Sequence, residues 1–101
     1  MAKDFSVSKT GEGAWKVEGE LDLATASAFE EAFIAEGRQV DLELDCSGLR
    51  FMDSQGVRSV MVVAAARPAG GRLVMRRLSP QVRRIADLVQ LGAAPGIALE
   101  D

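Results

Sequence analysis

The chain reads as an α/β protein: a mixed β-sheet with helices packed mainly on one face, in the order β-β-α-β-α-β-α. Three observations lead there. Two runs that alternate apolar and polar residues, Phe5-Ser-Val-Ser-Lys9 and Ala14-Trp-Lys-Val-Glu18, flank the turn residues Gly11-Glu-Gly13, which is hairpin patterning. Beyond them, helical periodicity alternates with short strand segments, and each strand–helix–strand passage needs a crossover, so part of the sheet is parallel. In Val40-Asp-Leu-Glu-Leu-Asp45 the apolar side chains share one side and three acids the other, which marks a sheet covered on one face.

The elements follow in order. After the hairpin, Gly19-Glu-Leu-Asp-Leu-Ala-Thr25 leads into a helix whose Ala26, Phe29 and Phe33 share one face, with Glu30, Glu31 and Glu36 largely turned away. Gly37 is its expected C-terminal cap. The strand 40–45 comes next, and Ser47-Gly48 is expected to turn the chain. Leu49, Phe51 and Met52 then lead to Asp53-Ser54-Gln55-Gly56, where a second helix starts because Asp or Ser accepts hydrogen bonds from free amides. It runs to about Arg67 and is stopped by Pro68 and Gly70-Gly71. At 100° per residue, Val57, Val60, Met61 and Ala64 face the sheet. The opposite arc holds Ser59, Val62 and Ala66, with Arg58 as the only charge nearby. This arc predicts a shallow apolar patch suited to docking another protein. Arg72-Leu-Val-Met75 is a short strand. Ser79-Pro80 supplies the N-cap and first turn of a third helix, with Val82, Ile85, Ala86 and Val89 inward and Gly92 at its end. Ile97-Ala-Leu99 has the pattern of a terminal strand fragment.

Length and composition narrow the function. With 101 residues, 48% of them hydrophobic, the chain is one domain, residues 1–101. No apolar run approaches the roughly 18 residues of a membrane span, so membrane insertion is not expected. The start MAKDFSVSK lacks a signal-peptide core, and the expected compartment is the cytoplasm. One cysteine, Cys46, and no histidine exclude an internal disulfide, the usual soft-metal sites and Ser-His or Cys-His catalysis. No catalytic residue, metal or cofactor is expected, since Gly70-Gly71 lacks the G-x-x-x-x-G-K pattern of a phosphate loop. An enzyme working through Asp22 and Asp53 has no accompanying base, metal cluster or cofactor loop.

The net charge of −3 hides an asymmetry. Residues 1–50 hold eleven acids and five bases, and residues 51–101 hold four acids and seven arginines. The cluster Arg72, Arg76, Arg77, Arg83 and Arg84 contains no aromatic residue for base stacking, so direct nucleic-acid binding is not expected. Pairing within the domain, or a solvated face, explains it better. Asp41, Glu43 and Asp45 read as a solvated sheet face, and Cys46 as a small core residue.

Asp53-Ser54-Gln55-Gly56 is the most informative segment. A serine in the first turn of a helix sits where free N–H groups and the positive dipole end converge, so a phosphate added there is accommodated. Gly56 leaves one side without a side chain, open to another protein. The series Gly19-Glu-Leu-Asp22, the acidic strand, Phe51-Met-Asp-Ser-Gln-Gly56, Arg72-Leu-Val-Met75 and Ser79-Pro-Gln-Val-Arg83 resembles STAS domains, and among them the bacterial anti-sigma-factor antagonists. The resemblance runs from about Phe5 to Gly92.

It implies a mixed sheet with helices largely on one side. It also implies that Ser54 is a phosphoacceptor, that Asp53 is the aspartate preceding it, and that Asp22 lies beside both and helps bind the partner. That partner would be an anti-sigma factor that is also a serine kinase, bound while the antagonist is unphosphorylated. The partner surface is then expected to draw on Asp22, Thr25, Asp53, Gln55, Gly56, Arg58, Ser59 and Val62. Within it, Thr25 is a second hydroxyl, and Gln55 stands where the family commonly has a smaller residue. STAS domains also serve as constitutive subunits of bacterial lipid-transport complexes and stress-signalling scaffolds. Those relatives often carry threonine or lack the Asp-Ser pair, so Ser54 beside Asp53 favours the antagonist.

Overall fold

Phe5–Gly11 (β1) and Ala14–Leu21 (β2) form the expected antiparallel hairpin in a computed structural model that describes residues 4–35 and 39–100. Gly13 carries the turn at φ +66°, a conformation that favours glycine. Ala26–Ile34 (α1) follows and buries Phe29 and Phe33. Phe33 meets Trp15 of β2 edge-on at 5.2 Å between ring centroids and Phe29 at 5.0 Å, an arrangement aromatic quadrupoles prefer. The expected cap Gly37 lies outside the described residues.

The next strand, Leu42–Met52 (β3), corrects two expectations. Val40 lies outside it and is exposed. Ser47-Gly48 makes no turn, and the strand runs through it for eleven residues. Its register against β2 passes from Lys16↔Asp45 to Glu18↔Gly48, then from Gly19↔Leu49 to Glu20↔Phe51, so β3 takes one extra residue at each step. These two bulges reset the alternation and keep Leu49 and Met52 on the same buried face as Leu42, Leu44 and Cys46. Gly48 serves close packing there, since a Cβ would stand 2.7 Å from Glu18 Cγ.

Ser54–Ala65 (α2), Leu73–Arg76 (β4), Pro80–Leu88 (α3) and Ile97–Glu100 (β5) complete the chain. The sheet order is β1-β2-β3-β4-β5, parallel everywhere except between β1 and β2. Ser79 caps α3 by accepting from the Val82 N–H. Val82 and Ala86 are buried, but Val89 is exposed. The helix stops before Gly92 because Gln90 turns left-handed, at φ 55°, and a short 3-10 turn at Leu91–Ala93 sends Leu91 into the core instead.

The inward residues of the strands join those of all three helices in one core. The other sheet face is open and carries ion pairs. Arg76 reaches Glu43 at 2.7 Å and Glu100 at 3.1 Å, Arg77 reaches Asp45 at 3.0 Å, and Arg50 reaches Asp4 at 2.6 Å and Glu20 at 3.6 Å. Arg83 pairs with Asp87 on α3. Two of these pairs, Arg76 with Glu43 and Arg77 with Asp45, join the basic half of the sequence to the acidic half. Asp45 is held below the usual carboxylate range, chiefly by the Ser47 backbone N–H, which outweighs the opposing effect of burial, with smaller help from the Ser47 hydroxyl and then Arg77.

Arg67 does more than end a helix. Its buried guanidinium donates to three carbonyls: Val63 of α2 at 3.3 Å, Phe33 of α1 at 3.0 Å and Gln39 at 3.0 Å. It thereby places a cation at the carbonyl ends of two helices, where the macrodipole favours positive charge.

Candidate functional site

The parallel pairing of β2 and β3 creates the site. Leu21 is the register partner of Met52, so Asp22 and Asp53 leave the sheet side by side. The Asp53 N–H donates to the Leu21 carbonyl at 3.2 Å and fastens the two strand ends together. Asp53 then caps α2 from an extended conformation. Its Oδ1 accepts from the Gln55 and Gly56 N–H groups, both at 2.9 Å, and its carbonyl accepts from the Val57 N–H. The amides expected to stand free for a phosphate are thus largely taken by Asp53. Ser54, the first residue of the helix, is exposed.

Gly56 is buried, and the openness expected at it is filled from within. A Cβ would lie 2.3 Å from the Leu21 carbonyl oxygen and 2.8 Å from Met52 Cγ. Its small size seats α2 on the strand ends and leaves nothing for a partner to approach.

Asp22 and Thr25 are likewise turned inward, at 7% and 4% exposure. The Asp22 carbonyl accepts from the N–H groups of Thr25 and Ala26, and its Oδ1 accepts from the Ala24 N–H at 2.9 Å. Thr25 Oγ1 donates to the Glu20 carbonyl at 2.8 Å and accepts from the Asp22 N–H at 2.9 Å. This corrects the expectation of a second accessible hydroxyl: Thr25 locks the turn that opens α1. The residue the turn does present is Leu23, 73% exposed, which sequence reasoning passes over. Its only signal is an apolar residue beyond the strand's end and outside the helical pattern.

The outward face of α2 is also rotated from its expected position. Ser59 is 0% exposed and donates to the Gly56 carbonyl at 3.0 Å, so it is not a surface residue. Met61, expected on the sheet, is 47% exposed. The cause is a second neighbour: α2 packs on α1 as well as on the sheet. The stripe Gly56, Ser59, Val63 is buried, and continued by one more turn it reaches Arg67, which binds the Phe33 carbonyl of α1. What remains outside is Ser54, Arg58, Met61 and Ala65, with Gln55 and Val62 half-buried at its flank. Of the residues expected at a partner surface, the structure places Ser54 and Arg58 on this stripe, Gln55 and Val62 beside it, and Asp53 partly exposed at its head.

A shallow groove of about 210 Å³ runs beside Met52, between Arg50, Phe51, Gln81 and Ile85. Ligand pockets usually span about 300–1,000 Å³, so this one is too small to bury a typical cofactor. Among the described residues no three metal-capable side chains gather. Nor is any described helix long and apolar enough to cross a membrane. The site is a surface: an exposed hydroxyl at a helix start, beside two carboxylates fixed by their own turns.

Residues 5–99 match the family model described as "Mlab, STAS domain", and the chain belongs to the STAS domain family. The fold is that of solved relatives. An anti-sigma factor antagonist from Mycobacterium paratuberculosis superposes with a TM-score of 0.75 at 23% identity, covering 93% of this chain and 83% of that one. The anti-sigma factor antagonist SpoIIAA in its unphosphorylated form gives 0.74 at 23% identity, covering 94% and 86%. The Bacillus cell fate determinant SpoIIAA in the phosphorylated form gives 0.64 at 24% identity, covering 94% and 89%. No curated protein sequence matches this chain.

Proposed function

We propose that this STAS domain is an anti-sigma-factor antagonist. Unphosphorylated, it binds an anti-sigma factor that is also a serine kinase and so releases a sigma factor; phosphorylation of Ser54 ends the binding. The observation that carries the reading is the exposed Ser54 hydroxyl at the first position of α2, with Asp53 beside it and Asp22 at the adjacent strand end. The likeness to solved anti-sigma factor antagonists supports it.

The kinase transfers the γ-phosphoryl group of a nucleoside triphosphate. The Ser54 Oγ–P bond forms as the P–O bond to the β-phosphate breaks, and the hydroxyl proton passes to a base on the kinase. The product gains roughly −1.5 to −2 charges at pH 7. Asp53 is held by two amides and Asp22 by its turn, so neither carboxylate swings away. A partner docked over this edge meets repulsion and a desolvation cost, while the core is untouched.

A second reading is a constitutive subunit of a lipid-transport or stress-signalling complex, a role in which STAS domains, the family this chain belongs to, also serve. One experiment separates them. A candidate anti-sigma serine kinase is incubated with the protein and a nucleoside triphosphate, the phosphate is mapped by mass spectrometry, and binding is measured. Transfer to Ser54, tight binding by Ser54→Ala and weak binding by Ser54→Asp are expected. If both variants bind the kinase as wild type does, the antagonist reading fails. Co-purification with transporter subunits, indifferent to both substitutions, selects the second.

A further inference from the structure

We infer that Arg58 is the residue that receives the phosphate of phosphorylated Ser54, an inference that rests on the reading of Ser54 as phosphoacceptor. The two residues are four apart on the same exposed stripe of α2. Side chains at that spacing are neighbours, with Cβ atoms about 5–6 Å apart, and an acid placed N-terminal to its base is the better orientation. Ser54 supplies the N-terminal member once it carries phosphate.

Two further facts single out this pair. The first is that the helix itself offers the phosphate little. Asp53 Oδ1 already occupies the Gln55 and Gly56 amides, and the nearest strand ends add carboxylates, not cations. The second is the disposition of the arginines. Arg50, Arg76, Arg77 and Arg83 are each held by an acid, and Arg67 is buried on carbonyls. Arg58, Arg72 and Arg84 are exposed and form no ion pair among the described residues, and of these three only Arg58 lies on α2, one turn from Ser54. A guanidinium fits a phosphate with two parallel N–H donors.

The consequence is a two-part change of surface. Before phosphorylation Arg58 is a positive point on the outward stripe, available to an acidic group of a partner. Afterwards it folds back on its own phosphate, so one modification adds negative charge and withdraws the positive charge beside it.

The test needs no kinase. Phosphoserine is installed at position 54 during synthesis, and the phosphate is titrated by 31P NMR in wild type and in Arg58→Gln. Its second pKa, near 6 for a free phosphoserine, is expected to lie about 0.3 unit lower in wild type than in Arg58→Gln. Comparing two proteins that share Asp22 and Asp53 cancels the upward pull of those carboxylates. The lowering should shrink in about 0.5 M salt, be partly restored in Arg58→Lys, and be retained in full in Arg84→Gln, which alters an exposed arginine on α3. Superimposable titrations of wild type and Arg58→Gln overturn the inference and leave the phosphoacceptor reading standing. Failure of the kinase to modify Ser54 removes that reading, while the titration still reports on Arg58.

Discussion

Gly56 and the Leu21 carbonyl are packed so closely that a methyl group on the glycine would stand 2.3 Å from that oxygen. This contact seats the first turn of α2 on the end of β2, where Asp22 and Asp53 leave the sheet side by side. Gly56→Ala must push the helix away or bend the strand end. It is expected to destabilise the domain by about 1–3 kcal/mol, the usual range for overpacking. Urea denaturation measures it, and a loss under about 0.5 kcal/mol would show that the helix start is not pinned there.

Arg67→Met keeps most of the aliphatic stem and removes the donors to the Val63, Phe33 and Gln39 carbonyls. Leaving buried acceptors unsatisfied costs about 1–3 kcal/mol. Arg67→Lys is expected to recover only part of this, because one ammonium cannot span three carbonyls in the guanidinium's fork geometry. Equal melting temperatures for wild type and Arg67→Met would mean that water replaces the lost donors.

Cys46 is buried, and that burial pushes its thiol up to about 12 from 9.0. Two outcomes follow. In native protein at pH 8 the thiol should resist an alkylating reagent that labels it at once in denaturant. Because the folded state holds its proton more tightly, the contribution to stability is whole below pH 9. It is lost as pH rises from there toward 12, at up to about 1.4 kcal/mol per pH unit. Cys46→Val lacks this loss. Parallel stability curves for the two proteins between pH 8 and 10.5 would contradict it.

Met61 lies on the outward stripe with Ser54, and Ser59 does not. Met61→Glu should therefore leave stability within about 0.5 kcal/mol of wild type and weaken capture of the proposed kinase partner at least tenfold. Ser59→Glu should unfold the domain instead. If Met61→Glu binds the kinase normally, the docking surface lies off this stripe.

Elements specified by neighbouring residues are legible in the sequence: the hairpin about Gly11-Glu-Gly13, the caps Asp53 and Ser79, the short strand at Leu73. So is the juxtaposition of Asp22 with Asp53, through the family resemblance. What escapes a sequence reading depends on partners distant along the chain. Ser47-Gly48 has turn composition, yet the small residue answers to Glu18 across the sheet. A helical wheel assumes one covering neighbour, whereas α2 has two, and the second buries Ser59 and frees Met61. Gly56 is recognisable as an opening, but only the fold shows that Leu21 fills it. Val89 reads as core until the left-handed Gln90 ends the helix early.

The matched charges of the open sheet face carry a kinetic consequence. Arg76 and Arg77 of β4 and its edge sit against Glu43, Glu100 and Asp45, so each pair's field largely cancels within the Debye length of about 8 Å at physiological ionic strength. An approaching protein is steered weakly by that broad surface. At the strand ends Asp53 and Arg58 form no ion pair among the described residues, and there the local field sets the orientation of encounter. A phosphate at this edge would therefore change the rate at which a partner arrives, and the salt dependence of that rate, before any contact is made.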